Sequence, residues 1–310
     1  ALDAIETFNF LCIPPLARDA DVGASTLLVA NRYCRERRAL LFVDPPVAWD
    51  SAGKALAEMR NWPLPSDTAC MYFPRLLAYD KLRGRFEAFA PCGAVAGTLS
   101  RAADVAPFWS AATGEDTALR PGLRPMCAVD DNYRARLVAC GVNTVQTVRR
   151  PGREVPIACT MAGPGAGAAD WRMLPARRLA FMIISSIERG TRWMLFEPNE
   201  PPTWRRAAAQ VRAFLSSLEE RGAFAHREPG DRWFVLCNER VNREQHRERG
   251  IVNLLFGFAG ARSGEFHAFM VSHRAGGSRA QAVSPNLTGL PGTGITQALE
   301  ELELPAERSV

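Results

Sequence analysis

The residues with the most evident chemical potential are Glu197, Asn199 and Glu200, interleaved with Pro198, Pro201 and Pro202 in the stretch FEPNEPPTW. They follow the apolar run RWMLF (Arg192 to Phe196), which reads as a strand. Carboxylates just beyond the C-terminal end of a strand stand where open α/β folds bind ligands. A pair of carboxyls there can act as general acid and base, given a partner and a pocket that excludes water. The same residues also read as a structural corner. Three prolines fix the turn, Thr203 can cap the helix that follows, and Glu200 complements that helix's dipole.

Other chemistries find less support. A serine hydrolase needs a histidine beside its nucleophile, and His226, His246, His267 and His273 all lie in the last third, with no G-x-S-x-G elbow. The loop GPGAGAAD has the glycines of a phosphate cradle but neither its Lys nor a convincing preceding strand. His267 and His273 fall on one face of a strand without a third metal ligand near them in sequence, so half-buried strand residues are the expectation. The eight cysteines, Cys12, Cys34, Cys70, Cys92, Cys127, Cys140, Cys159 and Cys237, form no C-x-x-C pair and sit mostly in apolar segments. That pattern suggests buried free thiols in a reducing compartment and no bound metal.

The frame that must position these residues is that of an ordinary globular chain: 310 residues, 47% apolar, 23% charged. A net charge of +5, spread along the chain, argues weakly for nucleic acid and fits an acidic protein surface equally well. No apolar run approaches the roughly 20 residues that cross a bilayer. Nor does a charged-then-apolar leader open the sequence.

The first third alternates: strand Phe8 to Ile13, helix Ala24 to Arg37, strand Ala39 to Asp44, helix Ser51 to Trp62 with Ser51 as its cap, strand Ala69 to Phe73. Short apolar strands alternating with helices imply a parallel, doubly wound sheet. A Gly-rich, turn-rich region follows Pro91. Then come a helix Pro175 to Arg189 closed by Gly190, the strand RWMLF, and a helix Trp204 to Arg221 closed by Gly222. The last helix carries Trp204, Ala208, Val211, Leu215 and Leu218 on one stripe. Strands Arg232 to Asn238, Ile251 to Phe258 and Glu265 to His273 come next. From Ala275 the sequence reads as a flexible tail in which only TQALEELEL has helical character.

In order along the chain stand PCGAVAG, Ser100-Arg101, Asp104, FWSAAT, GVN at Gly141 to Asn143 and RRPG at Arg149 to Gly152. After them come RRL at Arg177 to Leu179, SSIERGTRWMLFEPNEPPTW, RGAF at Arg221 to Phe224, CNERVNREQHRERGIVNLLFGFA and GEF at Gly264 to Phe266. Taken together, from Leu2 to Arg274, this series resembles the contractile tail sheath family of phage tails, tailocins and extracellular contractile injection particles. The resemblance implies an α/β fold with a subtilisin-like, non-proteolytic domain over 1–160. It also implies an α+β C-terminal sheath domain over 161–274 that ends in an exchangeable strand, leaving 275–310 as the tail.

It further implies a structural role without enzymatic activity or cofactor: a subunit that assembles in the cytoplasm into a helical homo-oligomer around an inner tube and contracts to drive the tube through a target envelope. Sheath paralogues, baseplate and cap proteins are the other implied partners, with neither nucleic acid nor a membrane span. By the same resemblance the strand Glu265, Phe266, His267, Ala268, Phe269, Met270, Val271 pairs between subunits, and Arg205, Arg206 and Arg212 contact the tube. Two features depart from the pattern. The family's N-terminal extension has no counterpart before Leu2, and Ala275 to Val310 continues past the usual last strand. A sheath-fold adaptor near baseplate or cap, or a degenerate α/β hydrolase using Glu197, Glu200 and a distant histidine, are the alternative readings.

Overall fold

The computed structural model describes residues 2–110, 117–145, 159–162, 169–224, 232–260 and 266–283. The RRPG motif, most of the glycine loop, His226, Glu265 and everything after Val283, including TQALEELEL, lie outside them. The chain divides into two compact units, Ala1–Phe181 and Met182–Val310, with the division inside a helix.

The first unit runs β1 (Phe10–Cys12), α1 (Ala24–Arg37), β2 (Leu40–Val43), α2 (Ala52–Met59), β3 (Ala69–Phe73), β4 (Leu76–Asp80), β5 (Arg85–Phe89), α3 (Cys92–Val105), β6 (Arg124–Pro125), α4 (Asp131–Ala139) and β7 (Val142–Thr144). It closes with the first half of α5 (Leu174–Gly190). Strands β1, β2, β3 and β7 form a parallel sheet in that order. Strand alternation sends Leu41, Val43, Met71 and Phe73 to a face covered by α1, α2 and α4, and Leu40, Phe42 and Cys70 to a face covered by α3 and the start of α5. Helices on both faces explain why β2 is apolar at every position. At the sheet's edge β1 is only half-buried, and it is shorter than its apolar run suggested. Ser51 holds the extended cap conformation of α2 without a side-chain cap bond.

The antiparallel sheet β5-β4-β6 has no counterpart in the sequence reading. Its hairpin turns on Asp80, whose carboxylate accepts from the backbone N–H groups of Leu82 and Arg83 at 2.9 and 3.3 Å and also pairs with Arg18. The motif residues of this unit have structural employment. Asn143 donates to Met71 O and Cys159 O and accepts from Cys159 N at 2.6 Å, tying the segment at 159–162 beside the sheet. Arg177 lies against the rings of Trp171 and Phe181 with Asp67 at 2.9 Å, and burial lowers its pKa to about 10. Arg178 stacks likewise on Phe10 and Phe108.

Gly141 turns at φ +89°, and a Cβ there would come within 3.0 Å of both Met161 Cα and Thr160 O. Backbone strain and backbone collision act together, so Gly141→Ala is expected to cost about 2 kcal/mol or more. A lowered urea midpoint at unchanged slope is the measurement that checks it.

The second unit continues α5 into a 3-10 helix at Arg192–Phe196, then α6 (Pro201–Glu220), β8 (Trp233–Leu236), α7 (Glu244–Glu248), β9 (Val252–Ala259), β10 (Phe266–Arg274) and β11 (Gly277–Val283). The sheet is antiparallel in the order β11-β10-β9-β8. Three expectations are corrected here. RWMLF is helical, because Thr191 and Met194 continue the turn with i→i−4 and i→i−3 bonds. Gly190 belongs to α5 and keeps a helical sign of φ, whereas Gly222 does turn left-handed at φ +72°. The expected tail from Ala275 instead supplies β11 as far as Val283.

Helix α6 buries Trp204, Ala207, Ala208, Val211, Leu215 and Leu218, the expected stripe. It lies on the face of the sheet reached by Trp233, whose Nε1 donates to Glu219 at 2.6 Å. On that face Phe258, Phe269 and Phe256 stack at 5.8 to 5.9 Å between centroids. On the other face Phe234 and Phe266 stack at 5.6 Å across Gly257, where a Cβ would stand 2.5 and 2.6 Å from the two rings. No helix among the described residues is long and apolar enough to cross a membrane.

Candidate functional site

The FEPNEPPTW corner is built around Asn199. Prolines 201 and 202 begin α6 at the two positions where a missing N–H costs least, and Glu200 occupies the cap position without a side-chain cap bond. Thr203, proposed as the cap, lies inside the helix and is buried. Asn199 Nδ2 donates to Ile251 O at 2.9 Å, its Oδ1 accepts from Trp204 Nε1 at 2.7 Å, and its own carbonyl accepts from Arg247 Nε at 3.1 Å. One amide therefore locks the start of α6 to the start of β9. Glu197 is an exposed partner of Arg206 at 2.7 Å, and Glu200 is exposed. Both carboxylates are exposed and follow a 3-10 helix, so the acid/base reading loses its strand-end premise.

The three arginines divide between two flanks of α6. Arg206 lies 4.0 Å over the ring of Trp193, on the flank where Trp193 Nε1 donates to Gln210 at 2.9 Å. Arg205 lines a cleft of about 220 Å³ with Trp204, Cys237 and Arg240, and Arg212 reaches Val235 O at 3.4 Å on the same flank. Arg205 and Arg212 are exposed.

A second asparagine group finishes the sheet. Strand β8 leaves β9 after Leu236 pairs with Leu255. Beyond that rung Asn242 takes the place of a strand: its Oδ1 accepts from Asn253 N at 2.7 Å and its Nδ2 donates to Asn253 O at 2.9 Å. Asn253 in turn donates to Val241 O and accepts from Ser272 Oγ at 2.6 Å. These residues fall within CNERVNREQHRERGIVN, a stretch whose local pattern gives them no part. The available signal was three asparagines, at 238, 242 and 253, bracketing the place where a strand must end.

Strand β10 has the expected alternation, with Phe266, Ala268 and Met270 on one face and His267, Phe269, Val271 and His273 on the other. It is not an edge strand, however. It pairs with β9 over Phe266 to His273 and with β11 over Ala268 to Arg274. The edge belongs to β11, whose exposed, polar pattern suits it better than the apolar β10. The two strand histidines share no metal geometry, and no group of three His, Cys, Asp or Glu among the described residues is placed to hold an ion. His273 is fully buried, with Nε2 2.8 Å from Thr191 Oγ1 and Nδ1 2.7 Å from Ser278 Oγ. Since Thr191 gives its proton to Ile187 O at 2.6 Å, Nε2 carries the imidazole proton and Nδ1 accepts from Ser278. Burial, with Arg192 nearby, pushes the pKa of His273 down to about 4.

No protein-family model matches the chain, and no curated protein does. Solved structures do. A sheath complex of the extracellular contractile injection system PVC, in the contracted state, superposes with a TM-score of 0.64 at 23% identity, over 82% of this chain and 68% of that one. The chain has the fold of contractile sheath proteins. The contracted helical sheath of the anti-feeding prophage AFP gives 0.65 at 21% identity, over 86% and 70%. A sheath tail protein from Listeria innocua gives 0.60 at 14% identity, over 87% of this chain and 57% of that one. Within a sheath fold the asparagine clamps hold the helix-on-sheet layer of the second unit together, which accounts for the motifs that read as a corner.

Proposed function

We propose that this chain is a structural sheath subunit of a contractile tail or injection particle. It polymerises helically around an inner tube and contracts to drive that tube through an envelope, without catalysis or cofactor. The observation that carries this reading is the fold likeness over more than four fifths of the chain to two sheaths in the contracted state. The apolar sheet of the second unit supports it, because strand addition at the β11 edge would add backbone hydrogen bonds between copies. β10, named above as the inter-subunit strand, would then be the inner strand against which that exchange is built, and a neighbour reaches it only by displacing β11. The subtilisin-like, non-proteolytic character of the first unit belongs to the same proposal. So do the cytoplasmic site of assembly and the tube, baseplate and cap partners.

Negative-stain microscopy of the full chain co-expressed with its tube protein tests the proposal: rods or rings around a tube are expected, and a monodisperse monomer under all conditions overturns it. The tube contact is read at Arg205, Arg206 and Arg212, of which Arg206 also pairs with Glu197 and stacks on Trp193 and Arg212 also reaches Val235 O. Charge reversal at Arg205 and Arg212 together is expected to reduce tube-filled sheaths at least tenfold while the variant remains folded. Unchanged filling would assign the pair to a solvated helix face.

A further inference from the structure

The cleft beside the start of α6 has an apolar side made by Pro201, Trp204 and Cys237 and a charged rim of Arg205 and Arg240, with Glu239 as the one carboxylate that lines it. At about 220 Å³ it is smaller than the roughly 300–1,000 Å³ of small-molecule sites, and suits the side chains of a peptide. Pro201 and Pro202 bring no N–H to the first turn of α6, so an anion in the cleft is held by guanidinium and not by helix amides. Arg205 is exposed and pairs with no carboxylate among the described residues. Arg212, two turns further along the same helix, donates to Val235 O and likewise has no carboxylate partner among them.

The chain contains a segment of complementary chemistry. After Val283 the sequence SPNLTGLPGTG, rich in Gly, Pro, Ser and Thr, leads to ITQALEELEL at 295–304. That segment carries Glu300, Glu301 and Glu303 and no cation, and its Ile295, Leu299 and Leu302 recur at spacings of four and three. Strand register sets the distance to be covered. Val283 pairs with Ala268, Ala268 with Gly257 and Gly257 with Phe234, so Val283 stands three strand spacings, roughly 15 Å, from β8. The cleft opens just past the end of β8, at Cys237. The connection from Val283 to Ile295 can span roughly 40 Å, well beyond that gap. A flexible tether of this kind holds its segment near the cleft at an effective concentration on the order of millimolar.

We propose that residues 295–304 dock in this cleft of their own chain, with Leu299 and Leu302 against Pro201 and Trp204 and the carboxylates of Glu300 and Glu303 on Arg205. The docked segment covers one of the arginines read above as a tube contact, so at Arg205 docking and tube contact exclude each other. Docking is read on the chain alone, with no tube present, so its failure is distinguishable from a failure of the sheath role. Because the ion pairs form at an exposed rim, added salt weakens the docked state.

The test is amide hydrogen exchange of the full chain in solution at low ionic strength. Amides of 299–304 are expected to exchange at least tenfold more slowly in the wild type than in Arg205→Glu, at a rate independent of chain concentration. Glu300→Arg combined with Glu303→Arg is expected to lose the same protection, and adding Arg205→Glu to that pair to restore it. Amides of β9, buried throughout, report in the same run that each variant is folded. Open-chain exchange rates in the wild type overturn the proposal by themselves, with no variant needed. Protection that survives Arg205→Glu, or a charge swap that restores nothing, also overturns it. So does protection that grows with chain concentration, which would assign the cleft to the segment of a second copy.

Discussion

Asn242→Ala is expected to lower the stability of the second unit by about 4 kcal/mol, from the loss of two hydrogen bonds to buried backbone groups at about 1–3 kcal/mol each. The side chain is 1% exposed, and water cannot substitute for it without opening the sheet. Asn253 N would lose its partner outright, while Asn253 O would keep only the weak bond from Cys237 Sγ at 3.4 Å. Because Asn253 also holds Val241 O and Ser272 Oγ, the defect spreads to the β10 side. Urea unfolding followed by tryptophan fluorescence measures it, Trp204 and Trp233 both lying in this unit. Ser272→Ala, which removes one bond at the rim of the same group, is expected to cost about 1 kcal/mol. Similar effects from the two substitutions would show that Asn242 does not stand in for a strand.

Acid should weaken the same unit through His273. Its folded pKa, about 4, lies below the ordinary value of 6.5, so the unfolded chain binds the proton more tightly. The sign follows: the contribution is whole above pH 6.5, declines as the pH falls from there, and is lost once it passes about 4. The difference corresponds to about 3 kcal/mol at the conversion of roughly 1.4 kcal/mol per pH unit. Protonated Nδ1 can no longer accept from Ser278, so the bond must reverse and the cost falls on a buried imidazolium at the side-chain tie between β10 and the edge strand β11. Hydrogen exchange of the β11 amides against pH is the direct measurement, with fraying expected below pH 5 and before global unfolding. His273→Gln keeps donor and acceptor groups without titrating, and the pH dependence of β11 protection is expected to flatten in that variant. An unchanged pH profile would place the acid sensitivity elsewhere.

Legibility from sequence varied with the range of the forces involved. Helix α1 and strand β3 stand where periodicity put them, since burial of one stripe or one apolar run is a local pattern. The hairpin β4–β5 escaped notice because its turn is made by the Asp80 side chain and a left-handed Gly84, without the Asn-Gly or Asp-Gly pair that marks tight hairpins. RWMLF reads as a strand by composition and forms a 3-10 helix, because the turn following α5 continues its hydrogen bonds through it. Ala275 to Val283 reads as a tail by its Gly, Ser and Arg content. It pairs as a strand since β10, apolar on both faces, offers a backbone ladder to which any extended segment can bond.

The sequence by itself determined the two-part α/β organisation, the apolar faces of α6 and β10, and the order of motifs that resembles the sheath family. Those properties depend on side-chain type and spacing along one element. Only the tertiary structure decided what the motif residues do. Glu197 and Glu200 stand exposed at a corner held by Asn199; Arg206 pairs with Glu197 while Arg212 reaches Val235 O; Asn242 substitutes for a missing strand; and β11 is the edge of the sheet in place of β10. Each of these depends on hydrogen-bond partners distant in sequence, and such pairings have no signature until the chain has folded.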